Sequence, residues 1–191
     1  AALTLKRFSA SLLSRPGQID FSKRYGGALD LSETLDIEVD GVLSHNRLKN
    51  GTIRFNEGEE ITIHLPNHHE VGWTLEGSIE PIENDAETIL CLGDSIIQGV
   101  GVHHSSEGLC TRLGSILGMD VLNQGLMGTL VNPKMIVPLE KAIDYVLLGY
   151  GTNDWSLRTD KAEFVEDMDE LFSRLRSLYP CQPIILLTPL Y

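Results

Sequence analysis

Thr88-Ile89-Leu90-Cys91-Leu92-Gly93-Asp94-Ser95 carries a short, nearly continuous apolar run straight into a Gly-Asp-Ser turn. A strand with one wet face alternates apolar and polar residues, whereas a strand buried on both faces reads as an unbroken run. The stretch therefore predicts the first strand of a parallel sheet, with Ser95 on the turn that leaves it.

The residues beyond it repeat that grammar. Ser105 and Ser106 are placed to cap a helix with an apolar face of Leu109, Leu113, Ile116 and Leu117, which Gly118 ends. Val121-Leu122 and Ile143 to Leu148 predict two more strands. Asp160 followed by Glu163 resembles a capping box for a helix that buries Phe164, Met168, Leu171, Phe172, Leu175 and Leu178. Pro180 stops that helix, and Ile184 to Leu187 predicts a fourth strand. Strands alternating with amphipathic helices mean an α/β domain with right-handed crossovers.

Upstream the period is two. Leu35, Ile37 and Val39 alternate with polar residues, as do Ile53 and Phe55, then Ile61, Ile63 and Leu65, then Val71, Trp73 and Leu75. Asp40-Gly41, Asn50-Gly51, Asn56-Glu57-Gly58 and Glu76-Gly77 are the turns between them. Short strands at this spacing predict an antiparallel β-sandwich or part of one. The grammar changes near residues 83–87. The division expected is a β-sandwich over 1–85 and an α/β domain over 86–191.

Composition narrows the partners. The 191 residues hold 15 Lys+Arg against 27 Asp+Glu, a formal charge of −12. Phosphate backbones and anionic lipid both demand clustered cations, so nucleic acid and membrane surfaces are excluded as partners. No apolar run is long enough to span a bilayer. Cys91, Cys110 and Cys181 form no C-x-x-C pair and cannot all be bridged, which argues against disulfides and a thiolate zinc site. Three core-filling thiols and no signal-peptide pattern favour the cytoplasm slightly, with secretion left open for a processed chain.

In an open parallel sheet ligands bind beyond the carboxyl ends of the strands. There the sequence puts Gly93-Asp94-Ser95, then Asn123-Gln124-Gly125-Leu126-Met127-Gly128, then Gly151-Thr152-Asn153-Asp154. Each alone is ordinary turn chemistry. Together they supply a hydroxyl nucleophile and donors for an oxyanion: the Ser95 N–H, a glycine N–H from the second loop and the Asn153 amide. That set suits acyl transfer.

These segments resemble, in order, the first three sequence blocks of the SGNH (GDSL-type) hydrolases. The resemblance covers about residues 88–191. It implies a flavodoxin-like three-layer sandwich, Ser95 as nucleophile, Gly128 rather than Gly125 as the oxyanion glycine, and Asn153 as the oxyanion amide. Ile97 stands where the family often has Thr. The β-rich first half is similar to the jelly-roll-like domain of the two-domain branch, as in carbohydrate esterases of family 2. This implies hydrolysis of a small acyl ester, acetyl on a carbohydrate, with no cofactor and no metal. Two alternatives stay open: a non-catalytic carbohydrate-binding protein with a degenerate hydrolase domain, and a lipase or thioesterase on the same fold.

The family's fourth block, Asp-x-x-His, does not occur in residues 1–191. The α/β part therefore reads as truncated before its fifth strand, last helix and catalytic base. A sheet edge left open by such a cut would be covered by the missing segment or by another chain, so a homo-oligomer is open. Among the six histidines, His103 and His104 follow Ser95 most closely and are poor substitutes for the base. His68-His69 fall in a polar loop, His64 on a strand and His45 on the surface, with no metal-ligand spacing among them. Asp94 reads as a stabiliser of its own turn. Trp155 reads as a sugar platform or else as a hydrophobic lid or core residue, and Glu163, Glu166, Asp167, Asp169 and Glu170 as a solvated helix face.

Overall fold

The computed structural model describes residues 8–11, 17–26, 34–47, 51–56, 59–67, 69–76, 80–81 and 85–188. Contacts divide the chain into two compact units. Residues 6–85 and 101–112 make up one, and residues 86–100 and 113–191 belong to the other.

The first unit contains β1 (Phe8–Ser11), β2 (Gly17–Gly26), β3 (Thr34–Val39), β4 (Val42–Arg47), β5 (Gly51–Phe55), β6 (Glu60–His64), β7 (His69–Glu76) and β8 (Glu80–Pro81). They form a five-stranded sheet, order β4-β3-β6-β1-β8, and a three-stranded sheet, order β5-β2-β7. All their pairings are antiparallel. The β3–β4 hairpin closes at Val39 and Val42 through Asp40 (φ 49) and Gly41 (φ 79). Two successive positive φ angles match the right-handed twist of the flanking strands. Leu35, Ile37, Phe55 and Ile61 are buried, as their alternation predicts. Asp36 departs from it: it lies between two core residues and is itself 0% exposed. The predicted turns at Asn50, Glu57-Gly58 and Gly77 lie outside the described residues.

The second unit is built on β9 (Thr88–Gly93), β10 (Asp120–Gly125), β11 (Tyr145–Gly149) and β12 (Ile184–Leu186). Their order is β10-β9-β11-β12, all parallel. Counted along the chain this is 2-1-3-4, an order shared with the flavodoxin-like folds. Every residue of β9 is buried. Among the described residues the α-helices are α1 (Ser95–Gln98), α2 (Leu109–Leu117, whose residues divide between the two units after 112), α3 (Thr152–Leu157) and α4 (Lys161–Leu178). The Asp160 carboxylate caps α4 by accepting from the Ala162 N–H at 2.8 Å. Leu171 and Leu175, one turn apart on α4, are fully buried in a core with Leu90, Leu92, Val146 and Leu148, and Phe164, Met168, Phe172 and Leu178 pack against it.

Two expectations for the first helix are overturned. Ser105 and Ser106 do not cap it. They lie in a 3-10 turn, Ser105–Glu107, and α2 begins only at Leu109. Nor does the expected apolar set make its inner face: Leu109, Ile116 and Leu117 are 40%, 75% and 51% exposed, and Leu113 is half-buried. The buried residues are Cys110 and Gly114, four positions apart. A Cβ on Gly114 would stand 2.6 Å from Val121 Cγ2, so this face packs by being small. Among the described residues no helix is long and apolar enough to cross a membrane.

Candidate active site

Gly93 pairs with Gly125 on one side and Gly149 on the other, so three glycines end three adjacent parallel strands in register. The three loop motifs start from that row.

Ser95 is the first residue of α1 and is half-buried. Asp94 is its N-cap, its Oδ1 accepting from the Ile96 N–H at 2.9 Å. The Asp94 N–H donates to the Gly149 carbonyl at 3.2 Å, which fastens the Gly-Asp-Ser turn to β11. Ile97, 0% exposed, roots the single helical turn in the core, and an apolar side chain is what that position accepts.

The second loop folds back on the first. Asn123 donates from Nδ2 to the Ile97 carbonyl at 2.8 Å, and its Oδ1 accepts from the Gly125 N–H at 2.9 Å. The Gly125 N–H is thereby used. A Cβ on Gly125 would lie 2.2 Å from the Gln98 backbone nitrogen, so this glycine serves close packing of backbone on backbone. The Leu126 N–H donates to the Gly93 carbonyl at 3.0 Å and the Met127 N–H to Gln98 Oε1 at 2.6 Å. Gly128 is different. It is exposed, has φ 78, and a Cβ there would meet nothing within 4 Å.

Asn153 lies in the first turn of α3 and donates from Nδ2 to the Thr129 carbonyl at 2.9 Å. This brings the third motif against the residue next to Gly128. A side-chain amide carries two N–H groups, and the Thr129 bond uses one.

Beneath the loops lies a set of charges that the sequence reading missed. Asp154, 3% exposed, accepts from the Val131 N–H at 3.1 Å and from Arg158 Nε at 2.7 Å. Arg158 also donates to the Val131 carbonyl at 2.9 Å and to Asp167 Oδ2 at 2.5 Å. Burial alone would lower the Arg158 pKa, but Asp167 and Asp154 outweigh it and raise it. Asp167 is thus no part of a merely solvated helix face. Its neighbours Glu163, Glu166, Asp169 and Glu170 are exposed, as expected. The legible signal was the Asp154–Arg158 spacing of four on a helix. Burial raises the Asp94 carboxyl above the usual range, the Ile96 N–H opposes this, and the Asp154 charge adds to it. Tyr150, 6% exposed, is pushed up to about 12 by burial and then by the Asp94 and Asp154 charges.

Trp155 is 63% exposed, with Lys161 Nζ 3.0 Å from its ring centroid, a cation–π arrangement. A cavity of about 390 Å³ opens beside the same loop, between Thr129–Met135 and Arg158, Asp167 and Glu170. His104 belongs to the other unit, where its ring stacks on His45. His45 is no plain surface residue, since its Nδ1 lies 2.9 Å from the buried Asp36.

A turn-borne serine, an open glycine and a fixed amide side chain are the parts that attack and oxyanion stabilisation require. Known proteins with related structures carry the same fold. An active-site mutant of a family two carbohydrate esterase from Clostridium thermocellum superimposes with a TM-score of 0.71 at 16% identity, covering 100% of this chain and 72% of that one. The salicylyl-acyltransferase SsfX3 of a tetracycline biosynthetic pathway gives 0.69 at 19% identity, covering 93% of this chain and 56% of that one. A GDSL-like lipase from Bacteroides ovatus gives 0.67 at 20% identity, covering 94% of this chain and 59% of that one. The chain thus spans less than two thirds of the latter two. No curated protein matches it in sequence. Residues 91–191, more than half of the chain, match the family model of the GDSL-like lipases and acylhydrolases, and the chain belongs to that SGNH hydrolase family.

Proposed function

We propose that the protein is a serine esterase that removes a small acyl group, acetyl, from a carbohydrate. The observation that carries this is the Asn153–Thr129 hydrogen bond, which sets an amide donor beside the Gly128 loop. In this reading Ser95 Oγ attacks the ester carbonyl and its proton passes to a general base. The Ser95 N–H, the Gly128 N–H and the remaining Asn153 N–H hold the oxyanion. The leaving alcohol takes the proton, and water then cleaves the acyl-serine. Gly128 is preferred to Gly125 because the Gly125 N–H is already bonded to Asn123.

The carbohydrate half of the proposal draws on the structural likeness to a carbohydrate esterase and on the antiparallel sheets of the first unit. In this reading residues 1–85 are a jelly-roll-like β-sandwich and 86–191 the hydrolase domain. A lipase or thioesterase is the second reading. Ile96, Leu126 and Met127, on the segments around Ser95 and Gly128, are 46%, 45% and 43% exposed and would suit a longer acyl chain.

The test is hydrolysis of p-nitrophenyl acetate, butyrate and octanoate by the protein and by Ser95→Ala. Serine-dependent turnover that falls with chain length supports the deacetylase. A rate that rises with chain length favours the second reading. Sugar binding without serine-dependent turnover would make the chain a binding protein.

A further inference from the structure

We propose that Asp36, His45 and His104 form a binding site for a zinc-class divalent ion within the first unit. The three residues come from three separate elements: β3, β4 and the segment 101–112. One ligand atom from each lies within 4.8 Å of the others. Two ligands on one tetrahedral zinc stand about 3.3 Å apart, as Zn–N lengths of about 2.0–2.1 Å require. The His45 and His104 ring centroids are 3.8 Å apart with 26° between their planes. Small turns of the two rings out of this stack bring both nitrogens onto one ion.

The surroundings favour this over a simple hydrogen-bond hub. A buried carboxylate needs donors, and Asp36 has them without any histidine. Ser106 N and Oγ donate to its Oδ2 at 2.8 and 2.6 Å, and Thr34 Oγ1 donates to Oδ1 at 2.5 Å. Yet His45 Nδ1 also lies 2.9 Å from Oδ1, and His104 Nδ1 lies 3.0 Å from Thr34 Oγ1. One imidazole thus meets Asp36 Oδ1 directly and the second meets the Thr34 hydroxyl that donates to the same oxygen, while Ser106 holds the other oxygen. Partners of this kind fix the orientation of metal ligands. Asp36 is inaccessible while the His45 side chain is 37% exposed, which gives an ion a way in. Two imidazoles and one carboxylate are a donor set that suits zinc, and hard ions such as calcium prefer oxygen throughout. On binding, the ion takes the place of the Nδ1 proton that His45 presents to Asp36, and that proton passes to Nε2. A solvent molecule completes the four-coordinate shell.

The experiment uses the 191-residue chain and Zn²⁺ itself. Retained zinc is counted by elemental analysis after equimolar loading and desalting, for the unchanged chain, His45→Ala and His104→Ala. Affinity is read by competition with a chromophoric chelator, and Co²⁺ in place of Zn²⁺ reports geometry through its visible bands. Expected are one ion per chain, tetrahedral-type cobalt bands, and a melting temperature raised by zinc. Each variant should retain no stoichiometric ion, and Ser106→Ala should bind about 10–100-fold more weakly. Equal retention by the histidine variants would place the ion elsewhere and overturn the proposal. If a variant fails to fold, the unchanged chain still decides: no retained zinc, or octahedral-type cobalt bands, overturns it.

Discussion

The Asn153 side chain donates to the Thr129 carbonyl at 2.9 Å, tying the helix after the third parallel strand to the loop after the second. In the proposed reading the second amide N–H is the one that meets the substrate oxygen. Asn153→Ala should therefore lower kcat on an aryl acetate by about 10²–10³-fold, the usual loss for one oxyanion donor. KM should change far less, because the interaction is made in the transition state. A loss under about tenfold with the fold intact would remove Asn153 from that role.

The two loop glycines should separate in a stability measurement. Gly125→Ala pushes a methyl to within 2.2 Å of the Gln98 backbone nitrogen, and backbone cannot swing aside as a side chain can. Overpacking of this kind costs about 1–3 kcal/mol or more. Gly128→Ala meets open space and bears only the φ of 78, about 1–2 kcal/mol. Urea denaturation should rank Gly125→Ala as the more damaging. The reverse order would mean that the second loop packs differently against α1.

The first parallel strand was legible because burial on both faces leaves a mark in the sequence itself: Ile89 to Leu92 has no polar residue to place. The α4 helix was legible for a similar reason, since Asp160 and the apolar set from Phe164 to Leu178 are local signals. Asp36 was not. Alternation reads it as the wet side of β3, while its donors include Ser106, seventy residues away. Spacing reveals a period and says nothing about a partner that distant. The same limit misassigned Ser105 and Ser106, whose hydroxyls serve the His64 carbonyl and Asp36 instead of a helix end. It also hid Asp167, whose partner Arg158 lies on the preceding helix-end turn. At the candidate site the motif residues were readable, but their fastening by Asn123, Gln98 and Arg158 was not.

Asp94 gives a pH signature. Burial raises its folded-state pKa above the ordinary carboxylate value of 3.8. A raised carboxyl binds its proton more tightly folded than unfolded. Its favourable contribution is therefore complete below the unfolded pKa and is lost as pH rises through the folded one. Asp94→Asn keeps a good N-cap and cannot ionise. Its stability relative to the unchanged chain should improve as pH climbs through that window and then level off. Asp94→Ala also loses the cap, about 0.5–2 kcal/mol at every pH. Denaturation of all three across mildly acidic pH checks this, and parallel curves for the unchanged chain and Asp94→Asn would contradict the raised pKa.

Arg158 should be the most costly single truncation in the second unit. Its side chain is 8% exposed and faces the likewise buried Asp154 carboxylate at 2.7 Å. Arg158→Ala leaves that carboxylate buried without its cation, a situation that costs about 3–5 kcal/mol. Arg158→Lys should recover only part of this, because one ammonium cannot replace the fork that reaches Asp154, the Val131 carbonyl and Asp167 together. The Val131 anchor also fixes the loop that carries Gly128 and Thr129. Loss of activity should therefore accompany loss of stability. A double change, Asp154→Asn with Arg158→Met, should be less destabilised than Arg158→Ala alone, since no uncompensated charge remains. If the double variant is the worse of the two, the Asp154–Arg158 pair stabilises by more than mutual neutralisation, through its bonds to the Val131 N–H and carbonyl.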